Sequence, residues 1–303
     1  MTKRILEAIF YVVVFLAVQA IVEIAARLVF HSSLISHPSS RLEGGHVVVG
    51  AIVSSIITIA LFAWQHWTPV SRDYLRSRPW AVIVWTALLA IGTIIPSAWL
   101  QEQMGAEMPE VYKQLFIRIM NHPLGYLTIG ILVPVAEEVV FRGAMLRTLL
   151  KVIAPSQPPP EGEGRVRKSR NLRLLPLGGR SGGGRLRSGW GSREGMAVLL
   201  SALVFGACHG NLPQFVHATL IGLLLGWLYL RTGSIVPGIV FHWVNNTIAF
   251  VVARLMPGLT ETDLIDLCGG DLRRELLYVG FSLCIFLPAL YQLHLRTKRP
   301  AAD

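Results

Sequence analysis

The sequence predicts an all-α polytopic membrane protein in which about eight transmembrane helices enclose a hydrated cavity. Hydrophobic residues make up 52% of its 303 residues and charged residues only 15%, whereas soluble domains carry about a quarter charged residues. The mean hydropathy is +0.52. The apolar residues also form blocks long enough to cross a hydrocarbon core of about 30 Å. These observations exclude soluble enzymes, secreted disulfide scaffolds and disordered chains.

Each predicted span is a mostly apolar segment. The composition does not define the ends of two of them, because Glu7, Gln19, Glu23 and Arg27 interrupt the first and the fifth is short. The first is too long to be a removable signal peptide, and it lacks the small-residue cleavage site of one. An interfacial helix is expected on the outer side between Gln101 and Asn121. The eight segments are Ile5–Phe30, Val47–Trp67, Trp80–Leu100, Pro123–Lys151, Gly195–His209, Phe215–Leu230, Ile235–Leu255 and Glu275–His294.

Basic residues near the ends of the spans predict the orientation, because such residues are enriched on the cytoplasmic side. Lys3 and Arg4 precede the first span, and Arg296 follows the last. Both termini are therefore expected on the cytoplasmic side. The membrane is expected to be the cell (inner) membrane of a prokaryote. The predicted organisation is N-terminal helices over 1–122, a core over 123–255, and a last helix with its tail over 256–303.

Residues 154–194 differ from the rest of the chain, because they are rich in Pro, Gly, Ser and Arg. Between 155 and 194 there are nine basic and three acidic residues. This composition buries too little apolar area to fold, so the segment is predicted to be a disordered loop. It is either a tolerated surface insertion, which we favour, or a polybasic patch for anionic lipid headgroups. Nucleic-acid binding is disfavoured.

Three clusters of polar residues interrupt the apolar segments, and ionisable groups at membrane depth are functional candidates. The first cluster contains Glu137, Glu138 and Arg142. Glu138 and Arg142 lie four residues apart and can pair on one helix face. Glu137 lies about 100° further round the helix and is free to face another group. The pair of acids thus divides into one structural and one chemical member, although an ion-pair network or a transporter's ion path would use the same residues.

The other two clusters supply imidazoles and an amide. His209 ends the fifth predicted span, while His242 and Asn246 lie four residues apart in the seventh. Two aligned groups of this kind can hold a carbonyl oxygen as it becomes an oxyanion. Glu137, His209 and His242 together offer three metal ligands, but neither histidine lies in an H-E-x-x-H helix. A divalent metal therefore stays open. Cys208 and His209 are adjacent, so on a helix they do not form a nucleophile–base pair.

The ordered triple of motifs resembles the CPBP family, which includes the type 2 CAAX-prenyl proteases and the Abi-type bacteriocin-processing proteins. The matching segments are a double glutamate with Arg four residues after the second, F-x-x-x-H, and H-x-x-x-N. In this chain they are Glu137-Glu138-Val-Val-Phe-Arg142, Phe205-Gly-Ala-Cys-His209 and His242-Trp-Val-Asn-Asn246. The resemblance covers mainly residues 123–250, and the basic insertion at 154–194 departs from the pattern.

The resemblance implies an intramembrane endopeptidase of the glutamate type. In that scheme Glu137 and His209 activate a water molecule, His242 and Asn246 stabilise the oxyanion, and Glu138 and Arg142 organise the site. No cofactor is required. The expected partner is a membrane-associated peptide or protein substrate in the lipid bilayer. The alternatives are a non-catalytic membrane scaffold, an immunity protein or a small-solute transporter that uses the same buried charges.

Overall fold

The computed structural model describes residues 2–36, 45–69, 72–105, 108–153, 193–256 and 263–297, and these form helices joined by short connections. The predicted all-α polytopic class is confirmed. The predicted basic loop at 154–194 lies outside the described residues, apart from its last two positions. We number the helices along the chain as α1 (Thr2–Ser36), α2 (Gly45–Trp64), α3 (Arg72–Arg76), α4 (Trp80–Gln103), α5 (Glu110–Asn121), α6 (126–153), α7 (Arg193–Ala207), α8 (Leu212–Thr232), α9 (Val236–Leu255), α10 (Leu264–Leu267) and α11 (Leu272–Arg296).

Six helices in the described ranges are long and apolar enough to cross a membrane, namely α1, α2, α4, α8, α9 and α11. A seventh span results if α5 and α6, which are bent by 102° relative to each other, count as one. The described residues thus give six or seven candidate spans, compared with the about eight predicted for the whole chain. The segment predicted at Gly195–His209 forms α7, which has only 15 residues and is shorter than the about 20 that a full crossing requires.

The sharp bend before α6 separates a short amphipathic helix from a long apolar one. The α5 helix has 12 residues, with Glu110 in its first turn and Arg118 in its last. It lies within the stretch predicted to be interfacial, so the helix itself is confirmed. Its location at the membrane interface stays a prediction.

Aromatic side chains join α1 and α2 to α6 and α7. Phe15 of α1 packs edge-on against Phe141 of α6, with ring centroids 5.8 Å apart. Phe141 in turn contacts Phe205 of α7 at 5.0 Å. A second apolar cluster lies among α4, α8, α9 and α11 and includes Leu89 and Phe241. The segment with the double glutamate thus lies in the interior of the bundle rather than on its lipid-facing side.

Candidate active site

The α6 helix, which carries the double glutamate, alternates between two helical forms. Its segments are π-helical Tyr126–Leu132, α-helical Val133–Glu138, π-helical Val139–Leu146 and α-helical Arg147–Ile153. The sequence analysis expected one regular helix here and missed both π-helical segments. Such segments are rare and occur frequently at functional sites. Thr68, from the connection after α2, donates a hydrogen bond of 2.7 Å to the Val139 carbonyl at the start of the second one.

Glu138 and Arg142 form the buried ion pair that their spacing predicted. Arg142 Nη1 donates to Glu138 Oε1 at 2.8 Å, and the two side chains are 1% and 0% exposed. Arg142 Nη2 also donates to the Gly222 carbonyl of α8 at 3.4 Å. The guanidinium carbon lies 4.4 Å from the centre of the Phe205 ring, within the range of a cation–π contact. The pairing is confirmed, and the pair joins α6 to α7 and α8.

The second oxygen of Glu138 faces α9 at a glycine. Glu138 Oε2 is fully buried without a hydrogen-bond partner in the described part of the chain. A Cβ atom added to Gly238 would overlap this oxygen and lie 3.1 Å from Glu138 Cδ. Because glycine has no Cβ, the α9 backbone approaches the carboxylate closely. This close approach places the following turn of α9, which carries His242, beside both glutamates.

His242 lies between the two carboxylates, a contact that the sequence analysis did not predict. Its Nε2 is 3.5 Å from Glu137 Oε2, and its Nδ1 is 3.7 Å from Glu138 Oε1. Both distances are longer than a direct hydrogen bond, which has a mode near 2.9 Å. Glu137 is 15% exposed and Glu138 is fully buried. Glu137 is therefore the carboxylate that solvent or a substrate can reach.

His209 follows the end of α7, and its hydrogen bond defines which ring nitrogen is free. Its Nδ1 lies 3.0 Å from the Phe205 carbonyl oxygen. Because a carbonyl only accepts, Nδ1 is assigned the proton, and Nε2 of the neutral ring then carries a lone pair. Within the described ranges, no hydrogen bond or ion pair joins Glu137 directly to His209. A water molecule between them would have to make that connection.

The Phe205 ring brings the two predicted histidines together. Its centroid lies 5.1 Å from the His209 ring and 6.0 Å from the His242 ring, and both contacts are edge-to-face. Phe205 itself is only 2% exposed. One buried ring thus contacts Arg142, His209 and His242, which belong to three different motifs.

Asn246 lies one turn beyond His242 on α9. Its Nδ2 donates to the Ile129 carbonyl at 3.0 Å, in the first π-helical segment of α6. An amide NH₂ has two donors, so one remains available after this bond. The neighbouring Asn245 is buried and faces α4, where its Nδ2 lies 3.5 Å from Thr93 Oγ1.

The sequence analysis missed a third histidine near this site. His217 lies on α8, half-buried, and interacts electrostatically with both His209 and His242. His217 could have been found as an ionisable residue within an apolar segment, which is the criterion that selected the other clusters. It was overlooked because it stands alone, outside any motif.

Among the described residues, no group of three or more His, Cys, Asp or Glu side chains is arranged to hold a metal ion. The dependence on a metal stays an open expectation from the sequence.

One comparison with known proteins gives a match. The family model described as Type II CAAX prenyl endopeptidase Rce1-like matches residues 120–248. No curated protein and no solved structure matches the chain. The matched range contains all six predicted site residues, Glu137, Glu138, Arg142, His209, His242 and Asn246.

Proposed function

We propose that this chain hydrolyses a peptide bond of a membrane-associated protein or peptide with a water molecule activated by Glu137 and His209. The match of residues 120–248 to the type II CAAX prenyl endopeptidase Rce1-like family model supports this proposal. The observation that carries the proposal is the arrangement around Phe205. Two imidazoles contact this buried ring, the accessible carboxylate of Glu137 lies 3.5 Å from one of them, and the second carboxylate is paired with Arg142.

In the proposed reaction, the water lies between Glu137 and the free Nε2 of His209. These groups accept its proton as the oxygen attacks the scissile carbonyl carbon. The proton is then delivered to the leaving amine as the C–N bond breaks. One water is consumed, and the products are a carboxylic acid and an amine.

The oxyanion formed in this attack requires donors that are fixed before the reaction begins. We assign this role to His242 and Asn246, which lie one turn apart on α9. Asn246 keeps one amide N–H beyond its bond to Ile129. His242 has to carry its proton on the nitrogen that faces the oxyanion.

Glu138 and Arg142 hold these groups in place. Their pair is sealed from solvent, contacts α8 through Gly222, and lies under Phe205. Removing one partner of such a pair leaves an uncompensated buried charge, which costs about 3–5 kcal/mol of folding free energy. We therefore expect changes at Glu138 to lower stability, and changes at Glu137 to lower the rate of hydrolysis.

The test uses the purified full chain in liposomes with a library of membrane-anchored peptides, half of them prenylated and half acylated. Mass spectrometry identifies new peptide termini. Glu137→Gln should slow cleavage by about 10²–10⁴-fold, the usual contribution of general acid–base catalysis, without lowering the unfolding midpoint. Glu7→Gln is the matched control, because Glu7 lies on α1 and bonds to Tyr11, away from the site.

Cleavage by Glu137→Gln at the parental rate would show that Glu137 is not the base. If no peptide is cleaved and proteoliposomes instead show solute flux that depends on Glu137, the chain is a transporter. A preference for prenylated over acylated anchors would assign the substrate class.

A further inference from the structure

The turn that carries His209 lies outside the helices on either side of it. The α7 helix ends at Ala207, and α8 begins at Leu212. The Gly210 amide donates to the Ala207 carbonyl at 3.4 Å and closes the turn. Gly210 has a φ of +72°, in the left-handed region that favours glycine. The backbone at His209 is therefore positioned by a short turn rather than by a continuing helix.

Two side chains bond to the carbonyl groups of this turn. Asn211, which caps the start of α8, donates its Nδ2 to the His209 carbonyl at 3.3 Å. Tyr112 of α5 donates its hydroxyl to the Gly210 carbonyl, also at 3.3 Å. A Cβ added to Gly210 would lie 2.6 Å from the same hydroxyl oxygen, so a larger residue there would push the tyrosine away. Tyr112 thus joins α5 to the turn.

The other end of α5 is packed against the start of the helix that carries Glu137. The α5 and α6 helices are bent by 102° relative to each other. A Cβ added to Gly125 in this bend would overlap the Ile119 carbonyl oxygen, so the packing of the bend requires glycine. From Tyr112, the third residue of α5, the helix axis runs for about 14 Å to the bend, at about 1.5 Å per residue. The α5 helix therefore links the start of α6 to the turn after α7.

This link matters for the two groups that share the water in the proposed reaction. Among the described residues, no direct hydrogen bond or ion pair joins Glu137 to His209, so the gap for a water molecule depends on where the backbone places each side chain. The bond from His209 Nδ1 to the Phe205 carbonyl, at 3.0 Å, orients the imidazole on α7. It does not hold the turn against α6. The bond of Tyr112 to the Gly210 carbonyl, one residue after the histidine, does so through α5.

We propose that Tyr112 is a positioning residue: its hydroxyl holds the turn after α7 so that His209 lies one water molecule away from Glu137. This inference rests on the proposed function, since it concerns the water that those two residues activate. Tyr112 precedes the range 120–248 that matches the family model. Its bond is longer than the about 2.7–2.8 Å that is common for hydroxyl donors, so its loss should shift the turn without unfolding the chain.

The first test measures the reactivity of His209 and needs no substrate. Diethyl pyrocarbonate acylates an unprotonated imidazole nitrogen, and Nε2 of His209 is free for this reaction. The full chain and its Tyr112→Phe variant, which lacks the hydroxyl and keeps the ring, are labelled in nanodiscs of phosphatidylcholine. Mass spectrometry of a proteolytic digest then gives the acylation rates of His209, His217 and His242 in the same sample.

Tyr112→Phe should raise the acylation rate of His209 by about three- to tenfold, the range expected when one neutral hydrogen bond is lost. The rates of His217 and His242 should stay unchanged, because these residues lie within α8 and α9 and not in the turn. The matched control is Tyr291→Phe, since Tyr291 lies on α11 and is 61% exposed. This control should leave all three rates unchanged.

The second test separates positioning from packing through the kinetic constants. With the membrane-anchored peptide that the library test identifies, Tyr112→Phe should lower kcat by about tenfold and leave KM unchanged. The reason is that a misplaced His209 weakens the transition state and not the binding of the substrate. Tyr291→Phe should change neither constant. The unfolding midpoint of each variant is measured in the same nanodiscs, so that a loss of folded protein is not counted as a loss of rate.

An unchanged acylation rate of His209 in Tyr112→Phe would overturn the proposal. An equal rise at all three histidines would also overturn it, because the tyrosine would then only stabilise the fold, and so would a selective rise at His209 with an unchanged kcat. If the parent chain cleaves no peptide and the selective rise is still observed, the hydrolysis in the proposed function is wrong and the positioning of His209 by Tyr112 stands.

Discussion

Replacing Gly238 with alanine should disturb the site through Glu138 alone. A Cβ at this position would overlap Glu138 Oε2 and lie 3.1 Å from Cδ, so the carboxylate has to move by about 1 Å to restore van der Waals contact. Glu138 cannot swing away freely, because Arg142 holds its other oxygen at 2.8 Å and both side chains are buried. The ion pair is therefore stretched, and His242 is displaced from the two carboxylates.

The expected cost has a structural part and a catalytic part. Removing one partner of a buried pair costs about 3–5 kcal/mol, and a stretched pair should lose less, about 2 kcal/mol of unfolding free energy. A displacement of the reacting groups by about 1 Å can lower the rate of catalysis by about 10²-fold. The assays are thermal unfolding in detergent and cleavage of a membrane-anchored peptide found in the library.

Gly280 provides the control for this prediction. It lies in α11, and a Cβ there would meet no atom within 4 Å. Gly280→Ala should leave the rate unchanged and add up to about 1 kcal/mol of stability through helix propensity. A double-mutant cycle with Glu138→Ala tests the mechanism, because Gly238→Ala should cost nothing further once the carboxylate is gone. The reasoning would be refuted if the losses from Gly238→Ala and Glu138→Ala were additive in the double variant. It would also be refuted if Gly238→Ala and Gly280→Ala had equal effects.

Two other predictions concern the surroundings of the site. Thr68→Val removes the donor to the Val139 carbonyl and should lower the unfolding free energy by about 1–3 kcal/mol. Thr68→Ser retains the hydroxyl and should lose much less stability. An equal loss of stability in both variants would contradict a role for the hydroxyl. Burial raises the pKa of the Cys268 thiol, and the nearby Glu275 and Glu102 raise it further. Only the thiolate reacts, so the rate of maleimide labelling of a variant that retains only Cys268 should keep rising above about pH 8.5, the ordinary pKa of a cysteine thiol. A labelling rate that levels off near that pH would contradict the raised pKa.

The sequence predicted the features of this molecule that depend on local spacing. The apolar blocks correspond to the long helices, and the four-residue spacing of Glu138 and Arg142 gave the ion pair. Spacing could not reveal the π-helical segments of α6, because an extra residue per turn changes backbone hydrogen bonding without a distinct pattern of side chains. The apolar composition of α7 resembles that of a full span, so composition did not distinguish this 15-residue helix from the longer ones.

Contacts between helices that are far apart in the chain could not be predicted from the sequence. The approach of His242 to Glu137 depends on how closely α9 packs on α6, which in turn depends on Gly238. Glu23 and Arg27 were visible as charges that interrupt the first span, but nothing local indicated that they line a cavity with Val133. Such features arise when helices far apart in the sequence pack together.

The phenylalanine of the second motif explains why three weak motifs form one site. Phe205 lies four residues before His209, which follows the end of α7. Its ring contacts the imidazole edge-on, and its carbonyl accepts the bond that orients His209. The face of the same ring covers Arg142, which fixes the buried pair on α6. The ring also contacts His242 edge-on, which limits how far α9 can shift. Arg142 and the two imidazoles therefore contact the same ring, and a change in the position of this ring would move residues of all three motifs together.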